Sequence, residues 1–527
     1  MRRGHPGKDS PETGLRRPRF SLTARTTSDI SGVETVVERS TRVALGVVAG
    51  GLALGLWADI LFRGQQAGLN VLLWAIAFTA VLAVLLWLAR APWQQGRRWM
   101  LAPMLLFSAC FLWRASTLLA AVNLLALAGA VTIGALRRTA EGQRAGVGDY
   151  AAGALAVGCT AAAGAIRLLQ ADVDWEQSTR GLRNERARAV GRGLGLGLPL
   201  LALFGGLFMA ADAVFNSLVQ SAVPNLDHPL EHLVIVVGTA WLSAGLLRDL
   251  LAAREEERVL SPAALARTRA PLSLGATEAV VALAALNALF LAFVLVQFRY
   301  LFGGHDLVES RAHLTYAQYA RHGFFELVVV SILVLLVLLA VDASLRRNGN
   351  RGALVVRTLS GFLLALVFVV MASALQRMRL YEQAYGLTQL RVYAVGVIGW
   401  LGVVFAWFGV TVLRGRRNIF PVGAVVAGFL ATAVLNVVNP DALVARTNLE
   451  RSRVDVSYVA GLSEDAVPAL LDELPKLRPD LRRALALALL DRSAHEGDWR
   501  SFNLARSHAD GLLADHHDEL LAFADYR

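Results

Sequence analysis

Long apolar stretches broken by short basic ones set the rhythm of this chain. They run over roughly 43–62, 69–89, 99–113, 116–136, 150–169, 194–218, 231–251, 274–298, 324–343, 353–375, 390–413 and 419–437. A helix needs about 20 apolar residues to cross the hydrocarbon core of a bilayer, and most of these stretches meet that length. Only helices or closed barrels satisfy the backbone in lipid. The pattern therefore predicts an all-α fold: a multi-spanning transmembrane helical bundle of about 11–12 helices, followed by a small soluble helical C-terminal domain. The stretch 99–113 is short, and 150–169 is mostly Ala and Gly with Arg167 near its end.

Arginines between these stretches mark candidate cytoplasmic loops. They fall at Arg90, Arg97 and Arg98, at Arg137, Arg138 and Arg144, and at Arg186, Arg188 and Arg192. They recur at Arg254, Arg258, Arg267 and Arg269, at Arg346, Arg347 and Arg351, and at Arg414, Arg416 and Arg417. The connections on both sides of 150–169 are arginine-rich, and both cannot be cytoplasmic if that stretch crosses. Eleven crossings, with 150–169 re-entrant or interfacial, put the N-terminus inside and the C-terminal tail outside. Twelve crossings is the rival, and it inverts every later loop.

Three domains follow. Residues 1–40 are polar and basic and predict a disordered cytoplasmic tail without a cleavable leader. Residues 41–438 form the membrane domain. Residues 439–527 are charged and helix-forming, with a helix start expected at Ser463 and a break between Pro475 and Pro479.

Composition agrees: 55% hydrophobic residues and 18% charged over 527 residues are too apolar for a soluble domain. The net charge of +11 is carried mainly by arginines between apolar stretches, which reads as topology rather than a nucleic-acid surface. Cys110 and Cys159 both sit in apolar stretches, so neither a disulfide framework nor a CxxC site is expected. No phosphate loop or GxSxG motif is present, and no cofactor is expected. The glycines Gly191, Gly193, Gly195 and Gly197 recur at four-residue spacing and predict close helix packing.

Candidate chemistry gathers in two polar stretches. Gln376–Tyr393 carries Arg377, Arg379, Tyr381, Glu382, Tyr385 and Arg391 between two apolar runs. On a helix, Arg377, Tyr381 and Tyr385 share one face. Tyr300–Glu326 carries Tyr316, Tyr319, Arg321 and Glu326, with His305 and His313. In the eleven-crossing arrangement both stretches face one side, with Asp212, His228, Glu231 and His232. Cations and tyrosines together suit a polar or anionic solute, a lipid headgroup or a protein; an interfacial aromatic belt with scattered charges is the plainer reading. Within the apolar runs Glu278 and Arg357 have matching depths and suggest an ion pair. His228-Pro-Leu-Glu231-His232 matches the HxxEH zinc pattern, but Pro229 fits only a first helical turn and no third ligand follows. The group His508, Asp510, Asp515, His516, His517 and Asp518 reads as a solvated helix end.

Tyr316-Ala-Gln-Tyr319-Ala-Arg321-His-Gly323-Phe324-Phe325-Glu326-Leu327 and Arg377-Met-Arg379-Leu-Tyr381-Glu-Gln-Ala384-Tyr385-Gly386-Leu387-Thr388 resemble a bacterial family of polytopic membrane proteins classed as a domain of unknown function. Pro199–Phe215, Asn439-Pro-Asp441 and Asp498-Trp499-Arg500-Ser501 are similar as well. The resemblance implies an integral protein of a bacterial plasma membrane and no established activity. Two functions stay open. One is binding or translocation of a small polar or anionic solute through the two polar stretches, with Arg377, Arg379, Tyr381, Glu382, Tyr385, Arg391, Tyr316, Tyr319, Arg321, Glu326 and Asp212 as the site. The other is a non-transporting sensor or scaffold whose loops and tail bind envelope partners.

Overall fold

A computed structural model describes residues 27–91, 95–136, 147–173, 211–222, 229–251, 276–302, 324–345, 353–451, 454–492 and 497–525, with scattered positions from 193 to 209. The apolar stretches form helices: α1 (Thr27–Phe62), α2 (Leu69–Leu88), α3 (Gln95–Trp113), α4 (Thr117–Leu136), α5 (Val147–Arg167, continued by a π turn to Asp172) and α6 (Ala213–Ala222). Next come α7 (Pro229–Leu251), α8 (Ala276–Phe302), α9 (Phe324–Leu345), α10 (Ala353–Tyr385), α11 (Gln389–Thr411) and α12 (Phe420–Val438). Six shorter helices make a C-terminal cap: α13 (Pro440–Leu449), α14 (Val456–Ala460), α15 (Val467–Glu473), α16 (Pro479–Leu490), α17 (Leu504–Asp515) and α18 (His517–Asp525). The fold is all-α, with no strand among the described residues. Seven of the described helices are long and apolar enough to cross a membrane, so the chain is a multi-pass membrane protein. α1 begins at Thr27, inside the stretch that composition predicted as a tail.

Two apolar cores build the bundle. One gathers residues of α1, α2, α3, α5 and α7 around Phe78, Leu82 and Leu247. The other gathers α8 to α12 around Leu363, Val367 and Phe405. α4 and α12 join the halves. The buried amides of Asn123 and Asn436 bond each other in both directions, at 2.8 and 3.2 Å. Phe107 of α3 packs on Phe429 of α12 at 5.5 Å between ring centres.

The tightest helix contact is between α1 and α7. A Cβ on Gly55 would lie 2.3 Å from the Val236 carbonyl, and one on Gly51 2.8 Å from the Ala244 side chain. Lipid gives no hydrophobic drive between helices, so small residues that let backbones approach do this work. The sequence reading placed such a contact at Gly191–Gly197. Gly191 and Gly195 lie outside the described residues, and Gly193 and Gly197 have nothing within 4 Å of an added Cβ.

Several contacts fix direction. The tips joining α1 to α2, α3 to α4 and α10 to α11 all touch the cap. α7 starts at that end, where His232 Nδ1 lies 2.7 Å from Asp59 Oδ2 near the last turn of α1. It finishes at the far end, where Arg248 pairs with Asp172 at the close of the π turn. α4 starts at the cap end and carries the chain to the far end, and the π turn after α5 also finishes there. The described part of α5 therefore ends on the side to which α4 delivered the chain. Among the described ion pairs none joins Glu278 to Arg357. Arg357 instead lines a small cavity beside Asp342 and Arg417, which pair at 2.9 Å.

Candidate functional site at the cap junction

α10 is 33 residues long. At 1.5 Å per residue it spans about 50 Å, well beyond a hydrocarbon core of about 30 Å. Its last turns are the polar stretch singled out from sequence. Ser373 and Arg377 turn inward: both donate to Gln297 Oε1 of α8, at 3.2 and 2.7 Å. Arg391 lies over the Tyr381 ring at 4.1 Å and also donates to the Gly386 carbonyl. Tyr381 meets Tyr385 edge to face at 5.0 Å. Arg379 and Tyr385 are exposed, and half-buried Glu382 lies within electrostatic reach of Arg391 and Arg379.

Glu326 is exposed in the first turn of α9. Gln297 near the end of α8 sits by Arg377, and Asp342 near the end of α9 sits by Arg417 at the far end. The end of α8 and the start of α9 therefore lie on the cap side, as does the end of α10. Tyr316, Tyr319 and Arg321 lie outside the described residues. Asp212 is exposed and caps α6, accepting from the Val214 and Phe215 amides at 2.7 and 3.2 Å. Of the HxxEH pattern, His228 lies outside the described residues and His232 is engaged by Asp59. Among the described residues no three His, Cys, Asp or Glu side chains converge on a point that could hold a metal.

The cap is bound to the bundle by a repeated chemical device. Helix ends leave carbonyls or amides without partners, and the cap supplies them at three tips. At the α10–α11 tip, Arg451 donates to the carbonyls of Glu382, Gln383 and Ala384, at 2.9, 2.8 and 3.1 Å. Its charge also suits the negative end of the helix dipole. Asn448 then brackets Leu387, accepting from its amide at 2.8 Å and donating to its carbonyl at 2.7 Å. Gly386 makes room for this. Its φ is +83°, and a Cβ there would lie 2.6 Å from Asn448 Oδ1. Gln389 begins α11 with its amide on the Tyr458 hydroxyl at 3.0 Å and its side chain on Asp441 Oδ1 at 2.7 Å.

At the α3–α4 tip the polarity is split. Asn503 donates to the carbonyls of Phe111 and Arg114 that end α3, at 2.8 and 2.9 Å. Asp465 Oδ2 accepts the amides of Ala115 and Ser116 that open α4, at 2.7 and 2.9 Å. Arg114 reaches Asp465 at 3.4 Å and the Asn436 carbonyl at 2.7 Å. Burial pushes the Asp465 carboxyl above its usual range, and the two amides and Arg114 offset this only in part. At the α1–α2 tip, Arg500 takes the Ile60 carbonyl and Arg506 the Ala67 carbonyl, each at 2.6 Å. The Leu69 amide closes this grip on the Phe502 carbonyl at 2.9 Å.

The sequence reading singled out neither Asn448, Arg451 nor Asp465, and met Asp441 only within the Asn439-Pro-Asp441 motif of the family resemblance. Ser463 does not cap the turn that follows it. Its hydroxyl and its amide both go to Asp441.

Residues 101–473 match the family described as domain of unknown function DUF4153. The chain belongs to this family. The match takes in the grips on the α3–α4 and α10–α11 tips made from α13 to α15. It leaves out both partners of the α1–α2 grip, and Asn503. No curated protein and no solved structure matches the chain.

Proposed function

We propose that this member of the family is a non-transporting scaffold or sensor, which presents a fixed extramembrane surface to envelope partners. The observation that supports this most is the cap's hold on three separate helix tips through their own backbone groups. Such a cap ties hairpins from both halves of the bundle into one body. The charged residues of the α10 end fit the same reading. Arg377 and Arg391 are spent on internal contacts, while Arg379 and Tyr385 stay on the surface, where a partner meets them.

We place the cap outside the cytoplasm of a bacterial cell. The chain that follows the far ends of α2, α4 and α11 carries Arg90, Arg97 and Arg98, Arg137, Arg138 and Arg144, and Arg414, Arg416 and Arg417. The short cap-side tips carry Arg63 and Arg114. Arginine excess belongs inside.

The test uses the intact protein twice. Photo-crosslinkers at Tyr385 and Arg379 in cells trap a discrete protein partner, and deleting residues 439–527 abolishes the adduct. Reconstituted in liposomes, the protein moves phosphate, chloride and small carboxylates no faster than empty liposomes. Anion uptake that Arg379→Ala abolishes, in a correctly inserted protein, rejects the scaffold and favours the solute-binding reading.

A further inference from the structure

A cleft opens on the cap side, away from the α10 end. It lies between the α1–α2 tip and the cap segment 497–510, and holds about 480 Å³. That is within the range of about 300–1,000 Å³ typical of small-molecule sites. Both walls are set before any ligand arrives. The tip wall is fixed by the Arg500, Arg506 and Phe502 backbone grips described above, and by Asn70, whose side chain accepts the Gly68 amide at 2.8 Å. Asn503, 1% exposed, anchors the opposite wall to α3. A pre-set cleft loses little entropy on binding.

The charges around this cleft are already matched. Asp498 is held by the Arg500 guanidinium, with Nε at 2.7 Å. Arg506 is committed to the Ser501 and Ala67 carbonyls. Asp510 has a partner of its own. What faces the cleft without a hydrogen bond, among the described residues, is neutral: the side-chain amides of Gln65 and Gln66 and the hydroxyl of Ser507. Each of these groups both donates and accepts. Beside them Phe502, also in the lining, is 42% exposed. An aromatic side chain next to neutral two-way hydrogen-bonding groups complements a ring with apolar C–H faces and a hydroxyl rim.

We infer that this cleft binds a neutral carbohydrate. The amides of Gln65 and Gln66 take paired hydroxyls, Ser507 takes a third, and Phe502 packs on the sugar face. An ion is the poorer ligand here, because the described charges that line the cleft, Asp498, Arg506 and Asp510, already have partners. This inference does not depend on the scaffold reading, since the cleft is remote from Arg379 and Tyr385 in sequence and involves other helix tips.

The experiment is binding of the full-length protein, in lipid nanodiscs, to an array of neutral and sulfated oligosaccharides. Wild type is retained on a subset of neutral glycans, and its signal is unchanged between about 0.05 and about 0.5 M salt, because screening acts on charges. Combining Gln65→Ala with Gln66→Ala lowers the signal about tenfold or more. Ser507→Trp fills the cleft and abolishes it. Protease resistance of the cap confirms that each variant is folded. Retention on no neutral glycan, retention on sulfated glycans alone with loss at high salt, or full binding by the Gln65/Gln66 variant overturns the inference.

Discussion

The α1–α7 contact and the cap junction hold helices in place by opposite means. Along the middle of the α1–α7 face the contact is steric: Gly51 and Gly55 bring backbone within touching distance of Val236, Ala240 and Ala244, while the polar tie of His232 to Asp59 lies at the cap end. At the junction the contact is polar. Arg451, Asn448, Asp465, Asn503, Arg500 and Arg506 seek out open carbonyls and amides at helix ends. The difference follows from where each lies. Inside the apolar layer most backbone groups are used by their own helix, so shape carries most of the recognition, supplemented by single amides such as those of Asn123 and Asn436. At helix ends the backbone is unfinished, and a side chain of the right charge can complete it.

The contrast is broken most severely in the bundle. Gly55→Val drives a side chain into a helix backbone that cannot yield, and should cost more than about 3 kcal/mol. The expected outcome is loss of monodisperse protein on detergent extraction, whatever the state of the cap. Next comes Asp465→Ala. It leaves two buried amides and the guanidinium of Arg114 short of a partner, at about 3 kcal/mol. Cap release, read by protease sensitivity, should rise while the bundle stays extractable. Asn448→Ala follows at about 2 kcal/mol, because both polar groups of Leu387 lose a neutral partner. It should loosen the α10–α11 tip, seen as faster amide exchange at Leu387.

The smallest effect is on pH. In the docked cap the Asp465 carboxyl sits above its usual range, so the docked form holds more protons than the released one. Docking is then strongest at low pH and weakens as pH rises from about 4, the usual carboxylate value, through the raised one, and is flat above. Asp465→Asn should erase this dependence and leave docking near neutral pH almost unchanged. A wild-type protein whose cap tightens as pH rises through that window contradicts the account.

Much of this architecture could be read from the chain. The apolar stretches are helices because their length and composition leave lipid as their solvent, and the stretch at Gln376–Tyr393 stood out because it is too charged for that solvent. The α1–α7 contact was not picked out, although Gly51 and Gly55 carry the same four-residue spacing noticed at Gly191–Gly197. What tells the two apart is which helix arrives opposite, and spacing alone does not say. The junction was the hardest part. Asn448, Arg451 and Asp465 look like ordinary surface residues of a small helical domain. Their partners are backbone groups 61 or more residues away, from Leu387 to the tip at Ala115. Backbone carries no sequence signature to announce it.

Asn439 is both the C-cap of α12 and the N-cap of α13. Its backbone is left-handed at φ +54°, and its side chain accepts the Ala442 amide and donates to the Asp465 carbonyl. No linker separates the final membrane helix from the domain above it. A bilayer that thins and tilts α12 must swing the whole cap or tear it from the three tips, so the junction turns a change in membrane thickness into leverage on the hairpins.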